Sequence, residues 1–133
     1  MLIRFLAAPE DARGDLYRAL RADVDFPFVE IASGATYEVV HEDGDPDGDG
    51  GALLIELFEV TPDRDEEFRA AWNTTRQALA AAQGYLGSRL YRGEADFRYV
   101  GIVRWSSPLM FARVEKPAMP FASHPALYQA VRD

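Results

Sequence analysis

The sequence predicts an α+β fold, a helix packed on one face of an antiparallel sheet. Three observations carry this. Ala52 to Val60 is an apolar, partly alternating run that reads as a strand. Phe68, Trp72, Thr75, Leu79 and Ala82 then recur at three- and four-residue spacing, which gives a helix one buried face. Tyr85 to Arg92 and Phe97 to Trp105 flank a short Gly93-Glu94-Ala95 connection, the layout of an antiparallel hairpin. A helix on one face of such a sheet forms an α+β layer.

Along the chain, Leu2 to Leu6 reads as a first strand. Pro9 to Arg21 reads as a short helix with Leu16 and Leu20 on one side. Phe26 to Ala32 and Thr36 to His41 read as strands joined by a Ser33-Gly34 turn. From His41 to Gly51 the chain holds five of its 22 acids and four of its ten glycines. With no apolar side chain to bury, that stretch reads as an exposed linker. It divides the chain into an N-terminal extension (1–41), an acidic linker (42–51) and a main domain (52–133). Asp43-x-Asp45-x-Asp47-Gly48 has the start of a calcium loop, but the twelfth position, where a bidentate acid belongs, is Leu54. A solvated linker is the reading preferred.

In the main domain, Thr61 with Pro62, or Asp63 with Glu66, starts the long helix, and Gln83-Gly84 ends it. On the second hairpin strand, Phe97, Tyr99, Gly101, Val103 and Trp105 are expected on one face. Arg98, Val100, Ile102 and Arg104 are expected on the other. Ser106-Ser107-Pro108 caps a short helix over 108–114, Pro117 and Pro120 break the chain, and Ala126 to Val131 fits strand or helix. The sheet face away from the helix then needs a cover, either a second subunit or residues 1–41.

The two parts echo each other. Leu16-Tyr17-Arg18 followed by Asp25-Phe26-Pro27-Phe28-Val29-Glu30-Ile31 parallels Leu90-Tyr91-Arg92 followed by Asp96-Phe97-Arg98-Tyr99-Val100-Gly101-Ile102. The echo fits a degenerate half-repeat, or two aromatic strands alike by composition.

Composition narrows the chemistry. The 133 residues suit one domain with an appendage, with no need of disulfides or a structural metal. No cysteine removes redox pairs, thiolate nucleophiles and thiolate metal sites, and two histidines leave little for a metal. A net charge of -8 argues against nucleic acid as a partner. No apolar run suits a membrane span, and Met1-Leu2-Ile3-Arg4 lacks a signal-peptide layout, so a cytoplasmic protein is expected.

Residues 52–131 resemble the antibiotic-biosynthesis monooxygenase family of small dimeric α+β barrel proteins. The resemblance rests on Val60-Thr61-Pro62 followed by acids, Phe68 and Ala71-Trp72, and on Gly84-Tyr85-Leu86 at the helix exit. It rests most on the strand from Phe97 to Trp105 followed by Ser106-Ser107-Pro108 and Phe111, similar to the family's W-x-S-x-x-x-F. His124-Pro125-Ala126-Leu127-Tyr128 resembles the family tail. The resemblance implies a ferredoxin-like βαββ(α)β protomer, two of which close a dimeric α/β barrel, so a homodimer is expected. It implies a pocket between sheet and helices and oxidation of phenolic polyketides or quinols by O2. No bound metal, haem or flavin is expected, although a partner enzyme could supply reduced flavin.

Trp105 matches the strand tryptophan that lines the family pocket, and with His124 and Tyr99 it forms the expected catalytic set. His124 is the candidate general base, an imidazole being the usual side chain for that work, or else a surface or capping residue before Pro125. Trp72, Phe97, Gly101, Tyr128 and Phe111 are the expected substrate contacts. Gly101 stands where oxygenases of the family place an asparagine, four residues before the tryptophan, and it leaves room for a larger substrate or for a side chain from elsewhere. Haem-degrading relatives place a histidine ten residues after that tryptophan; here the position is Glu115, which argues against haem cleavage. A non-oxidative polyketide cyclase and a non-catalytic aromatic-ligand-binding protein remain as alternatives.

Overall fold

A computed structural model describes residues 2–6, 15–20, 24–32, 37–46, 51–94, 97–114 and 119–130. Its strands are β1 (Leu2–Leu6), β2 (Asp15–Ala19), β3 (Phe28–Ala32), β4 (Tyr37–Gly44), β5 (Ala52–Phe58), β6 (Tyr85–Gly93), β7 (Tyr99–Trp105) and β8 (Ser123–Ala130). Its helices are α1 (Asp65–Ala80) and α2 (Pro108–Ala112). All strands join one antiparallel sheet in the order β1-β3-β2-β8-β5-β7-β6-β4. The run β8-β5-β7-β6 is the ferredoxin-like order expected for the main domain.

α1 buries Phe68, Trp72, Thr75 and Leu79, four of the five positions its spacing predicted. A 3-10 turn, Pro62–Arg64, precedes it, with Thr61 at the cap and no side-chain capping bond. The expected Asp63–Glu66 box is therefore absent, because α1 proper starts at Asp65. Past its C-cap at Ala81, the chain turns at Gly84, whose φ of 95° suits glycine. Ser107 caps α2 by accepting a bond from the Met110 backbone N–H at 3.2 Å.

Two expectations in the first part are corrected. Residues 15–19, expected within a helix, form β2; the rest of that segment lies almost wholly outside the described residues. Leu16 and Leu20 are four apart, a spacing that puts residues on one side of a strand as well as of a helix. Tyr17 and Ala19 are the inward pair, and hydrogen bonds to β3 and β8 hold them there. The acidic stretch is also not all linker. Residues 42–44 continue β4, paired with Arg89, Ser88 and Gly87 of β6, and Glu42 meets Arg89 at 2.7 Å. Backbone pairing and that ion pair replace the missing apolar burial. The Ser33-Gly34 turn, Ala95 and Pro117 lie outside the described residues.

The two halves pair alike. Leu16, Tyr17 and Arg18 face Glu30, Val29 and Phe28. Leu90, Tyr91 and Arg92 face Gly101, Val100 and Tyr99. Ala19 N–H bonds Pro27 C=O at 2.8 Å, and Gly93 N–H bonds Arg98 C=O at 2.9 Å. β1-β3-β2 repeats β5-β7-β6, and the fourth strand of each half pairs with the second strand of the other: β8 with β2, β4 with β6.

This exchange decides what covers the sheet. Ile3, Val29 and Tyr37 from the first half share a buried core with Ile55, Val100 and Ile102 from the second. The sheet curls until its end strands, β1 and β4, supply side chains to one inner core. The first half thus covers the face for which a second subunit or residues 1–41 was expected. α1 and α2 lie on the other, outer face, over a separate core that includes Leu54, Phe58, Trp72, Val103 and Trp105.

Candidate active site

The outer layer holds the candidate site. Along β7, Tyr99, Gly101, Val103 and Trp105 face α1, as alternation requires. Trp72 of α1 fills the space above Gly101: a Cβ there would stand 2.6 Å from Trp72 Cζ3 and 2.7 Å from Cη2. The room left by glycine is therefore taken by a side chain from elsewhere, the second of the two options the sequence offered.

Beside Gly101 lies a charge. Glu56 is its cross-strand partner on β5, shares the outer face with Leu54 and Phe58, and is 4% exposed. Ser123 Oγ donates to Glu56 Oε2 at 2.8 Å from β8. Glu56 also faces Pro125 of β8, which is exposed.

At the far end of β7, Trp105 is fully buried, edge-on to Tyr85 at 6.0 Å and 5.5 Å from the Phe111 ring. The indole Nε1 atoms of Trp72 and Trp105 are both buried with no hydrogen-bond partner. Unmet buried donors are uncommon, because each forgoes its bond to water. Next to them is a polar corner contributed partly by the first half. The Tyr85 hydroxyl donates to Asp43 Oδ2 at 2.9 Å and lies 2.8 Å from Ser88 Oγ; Arg76 Nη1 stands 3.3 Å from the same carboxylate. Burial raises the Tyr85 pKa, and Asp43 adds to the shift.

Tyr99 stacks on Phe68 at 4.3 Å and donates to Asp65 Oδ1 at 2.9 Å. Arg98 grips Asp65 through Nε at 2.8 Å and Nη2 at 2.7 Å. The Arg98 guanidinium, then the Tyr99 hydroxyl, hold the Asp65 carboxyl below its ordinary range against the effect of burial. Tyr99 itself is pushed up, first by burial. These bonds fasten the first turn of α1 to β7.

The other expected residues lie on the inner face. Phe97 was expected beside Trp105 and Arg98 with Val100. β7 begins only at Tyr99, so the alternation does not reach them. Phe97 packs inward, edge-on to Phe26 at 5.5 Å and to His124 at 5.3 Å. His124 Nδ1 is 2.7 Å from Asp25 Oδ2, and its Nε2 is 3.5 Å from Glu59 Oε2. Tyr128 is buried and donates to Phe26 C=O at 2.6 Å. The fold thus gathers Trp105, Phe111, Tyr99, Trp72 and Gly101 in one layer, and sets His124, Phe97 and Tyr128 across the sheet from it.

Residues 52–113 match the family model described as Antibiotic biosynthesis monooxygenase. That stretch resembles the family. Solved structures with this fold include a haem-degrading enzyme from Listeria monocytogenes, 16% identical, covering 77% of this chain and 76% of its own, with a TM-score of 0.55. A monooxygenase-like protein from Listeria innocua is 13% identical, covers 80% of this chain and 74% of its own, and has a TM-score of 0.57. A protein from Shewanella loihica PV-4, described as a candidate monooxygenase, is 24% identical over 65% of this chain and 99% of its own, with a TM-score of 0.54. The two Listeria matches span more of the chain than residues 52–133 can supply, so their likeness extends into the first half. No curated protein matches the chain.

Within residues 52–113, Glu56 was the residue sequence reasoning passed over. Its signal was present: one charge in a seven-residue apolar strand, in step with Leu54 and Phe58. Haem ligation fits this domain poorly. The position ten beyond Trp105 is a carboxylate, Glu115, which lies outside the described residues. His124 is on the inner face between two acids, and His41 is on edge strand β4, separated in the ladder from Gly101 by Leu90. Among the described residues, no group of three His, Cys, Asp or Glu could hold a metal, and no helix is long and apolar enough to cross a membrane.

Proposed function

We propose that the chain is a small monooxygenase that oxidises a phenolic or quinol-type aromatic polyketide intermediate with O2, in the cytoplasm, using no bound metal or haem. The observation that carries this reading is the pair of buried, unpartnered indole donors, Trp72 and Trp105, in an aromatic layer that also holds the Glu56 carboxylate. An anthrone-type substrate supplies the electrons itself. Its CH2 group becomes C=O, one oxygen atom enters the product and the other leaves as water, so no external reductant is needed. The protein's share is a dry aromatic site, donors for developing oxyanions and a proton acceptor. Trp105 with Phe111, and Trp72 over Gly101, form the walls in this reading.

The test is oxygen uptake with 1,8-dihydroxyanthrone. The reading expects uptake well above the spontaneous rate with dihydroxyanthraquinone as product, unchanged after chelator treatment. Uptake only with added reduced flavin would move the source of electrons to a partner enzyme. One observation favours a second reading. Trp72 occupies the space above Gly101, which suits a non-oxidative cyclase or an aromatic-ligand-binding role as well. Saturable dye binding without oxygen uptake would select it.

A further inference from the structure

We propose that His41, on a strand of the first half, is the proton acceptor of the outer-layer site; the inference rests on the aromatic-substrate reading above. Alternation alone would put it on the wrong face. Glu38 of β4 faces Arg92, which faces Tyr99 of the outer core, so strict parity from Glu38 would send His41 and Asp43 to the inner face. The register shifts between Val39 and His41, where one extra residue reverses that parity. His41 then faces Leu90 of the outer core, and Asp43 faces Ser88. Such a bulge disrupts the ladder and commonly re-aims a side chain beside a site. The acids of β4 are all engaged: Glu38 with Arg92, Glu42 with Arg89, and Asp43 with Arg76 and the Tyr85 hydroxyl. His41 is not. Its Nδ1 is buried without a hydrogen-bond partner, while the residue as a whole is only half-buried, so the ring keeps an open side. His124, by contrast, lies on the inner face with its nitrogens 2.7 Å from Asp25 and 3.5 Å from Glu59.

α1 supplies the complement. Arg76, one turn beyond Trp72, reaches Asp43 and so lies against the same stretch of β4. Its Nε, like Trp72 Nε1, is buried without a partner. A proton acceptor on β4 is thus set against N–H donors on α1 that lack an acceptor, which suits an oxygen that gains charge as a proton leaves. The substrate class is a weak carbon or oxygen acid conjugated to an aromatic carbonyl, such as an anthrone. The C–H bond of the acidic methylene breaks, its proton passes to the unprotonated ring nitrogen of His41, and the electron pair delocalises onto the carbonyl oxygen as an enolate. No redox change occurs in this step. The enolate is the species that O2 then oxidises.

Because the step precedes oxygen, it can be read without oxygen. The probe is 1,8-dihydroxyanthrone in deuterated buffer under argon, with loss of the methylene proton signal followed by NMR. The native protein should speed exchange roughly 100-fold over buffer, the low end of general-base catalysis. His41→Ala, folded by circular dichroism, should lose that gain. Added imidazole should restore part of it beyond its effect on buffer alone, which a structural role would not allow. Exchange by His41→Ala at the native rate, or a loss that imidazole leaves untouched, overturns the assignment. If His41→Ala does not fold, loss of exchange in His41→Gln supports the assignment and native exchange overturns it. Oxygen uptake by a native protein that gives no gain in exchange overturns His41 and leaves the oxygenase reading standing. Exchange without oxygen uptake in air upholds His41 and sinks the oxygenase reading, so the two failures are distinct.

Discussion

Tyr37 and Tyr128 make the same bond from opposite halves of the sheet: each donates to a phenylalanine carbonyl, Phe97 and Phe26 respectively, at 2.6 Å. Tyr37 faces Gly93 across β4 and β6, and Tyr128 faces Ala19 across β8 and β2. Each hydroxyl therefore ties one half to the bend that precedes the third strand of the other. Replacing either tyrosine by phenylalanine leaves a carbonyl unmet and should cost about 1–2 kcal/mol, measured by urea unfolding. Burial, with Asp25 adding to it, pushes the Tyr128 phenol up to about 12. An unfolded phenol titrates near ~10, so this contribution is whole below pH ~10 and lost as pH rises through the folded value. Native protein should lose stability over that window more steeply than Tyr128→Phe.

Trp72 and Gly101 form a lock of a different kind. Gly101→Ala places a methyl 2.6 Å from the Trp72 ring and should destabilise by about 1–3 kcal/mol through overpacking. Adding Trp72→Phe should recover part of that loss, since the two sites share one space. Strict additivity in thermal unfolding would contradict the contact.

Asp65 gives the helix layer an acid-sensitive fastening. Its carboxyl is held below the ordinary range by Arg98 and Tyr99. Such a depressed group contributes stability that is present above the unfolded value near ~3.9 and is lost as pH falls through the lower folded value. Asp65→Asn should cost about 1–2 kcal/mol at pH 7. The difference from native protein should shrink toward nothing as pH falls below ~4 in urea titrations.

Much of the fold was legible because hydrophobic period and parity agree over β5, α1, β6 and β7. Legibility failed where one pattern serves two structures. The Leu16–Leu20 spacing fits helix and strand alike, and only pairing with β3 and β8 selects β2. It failed again at Phe97 and Arg98, where parity was extended past the true start of β7. The site was legible on the outer face, where Trp105, Phe111 and Tyr99 follow a local motif. It was not legible for His124 and Tyr128, because β8 presents alternate residues to opposite faces and the sequence left that segment open between strand and helix. Glu56 was visible, but as a strand residue rather than as buried charge.

The inner core predicts how the main domain behaves alone. Residues 52–133 without the first half would expose Ile55, Leu57, Val100 and Ile102, now 1%, 1%, 0% and 4% exposed. That apolar face should drive self-association. Light scattering should show dimers or larger species for the fragment and a monomer for the whole chain. A monomeric, folded fragment would contradict the role assigned to the first half.

The central claim is that the outer layer carries oxygen into an aromatic substrate. Turnover of 1,8-dihydroxyanthrone under 18O2, followed by mass spectrometry, tests it most directly. The account predicts one 18O atom in the new carbonyl of the quinone and the other in water, with the yield falling at least tenfold in Trp105→Phe, which keeps an aromatic ring but loses the unpartnered N–H. Product free of 18O, or equal labelling in the absence of protein, would contradict it.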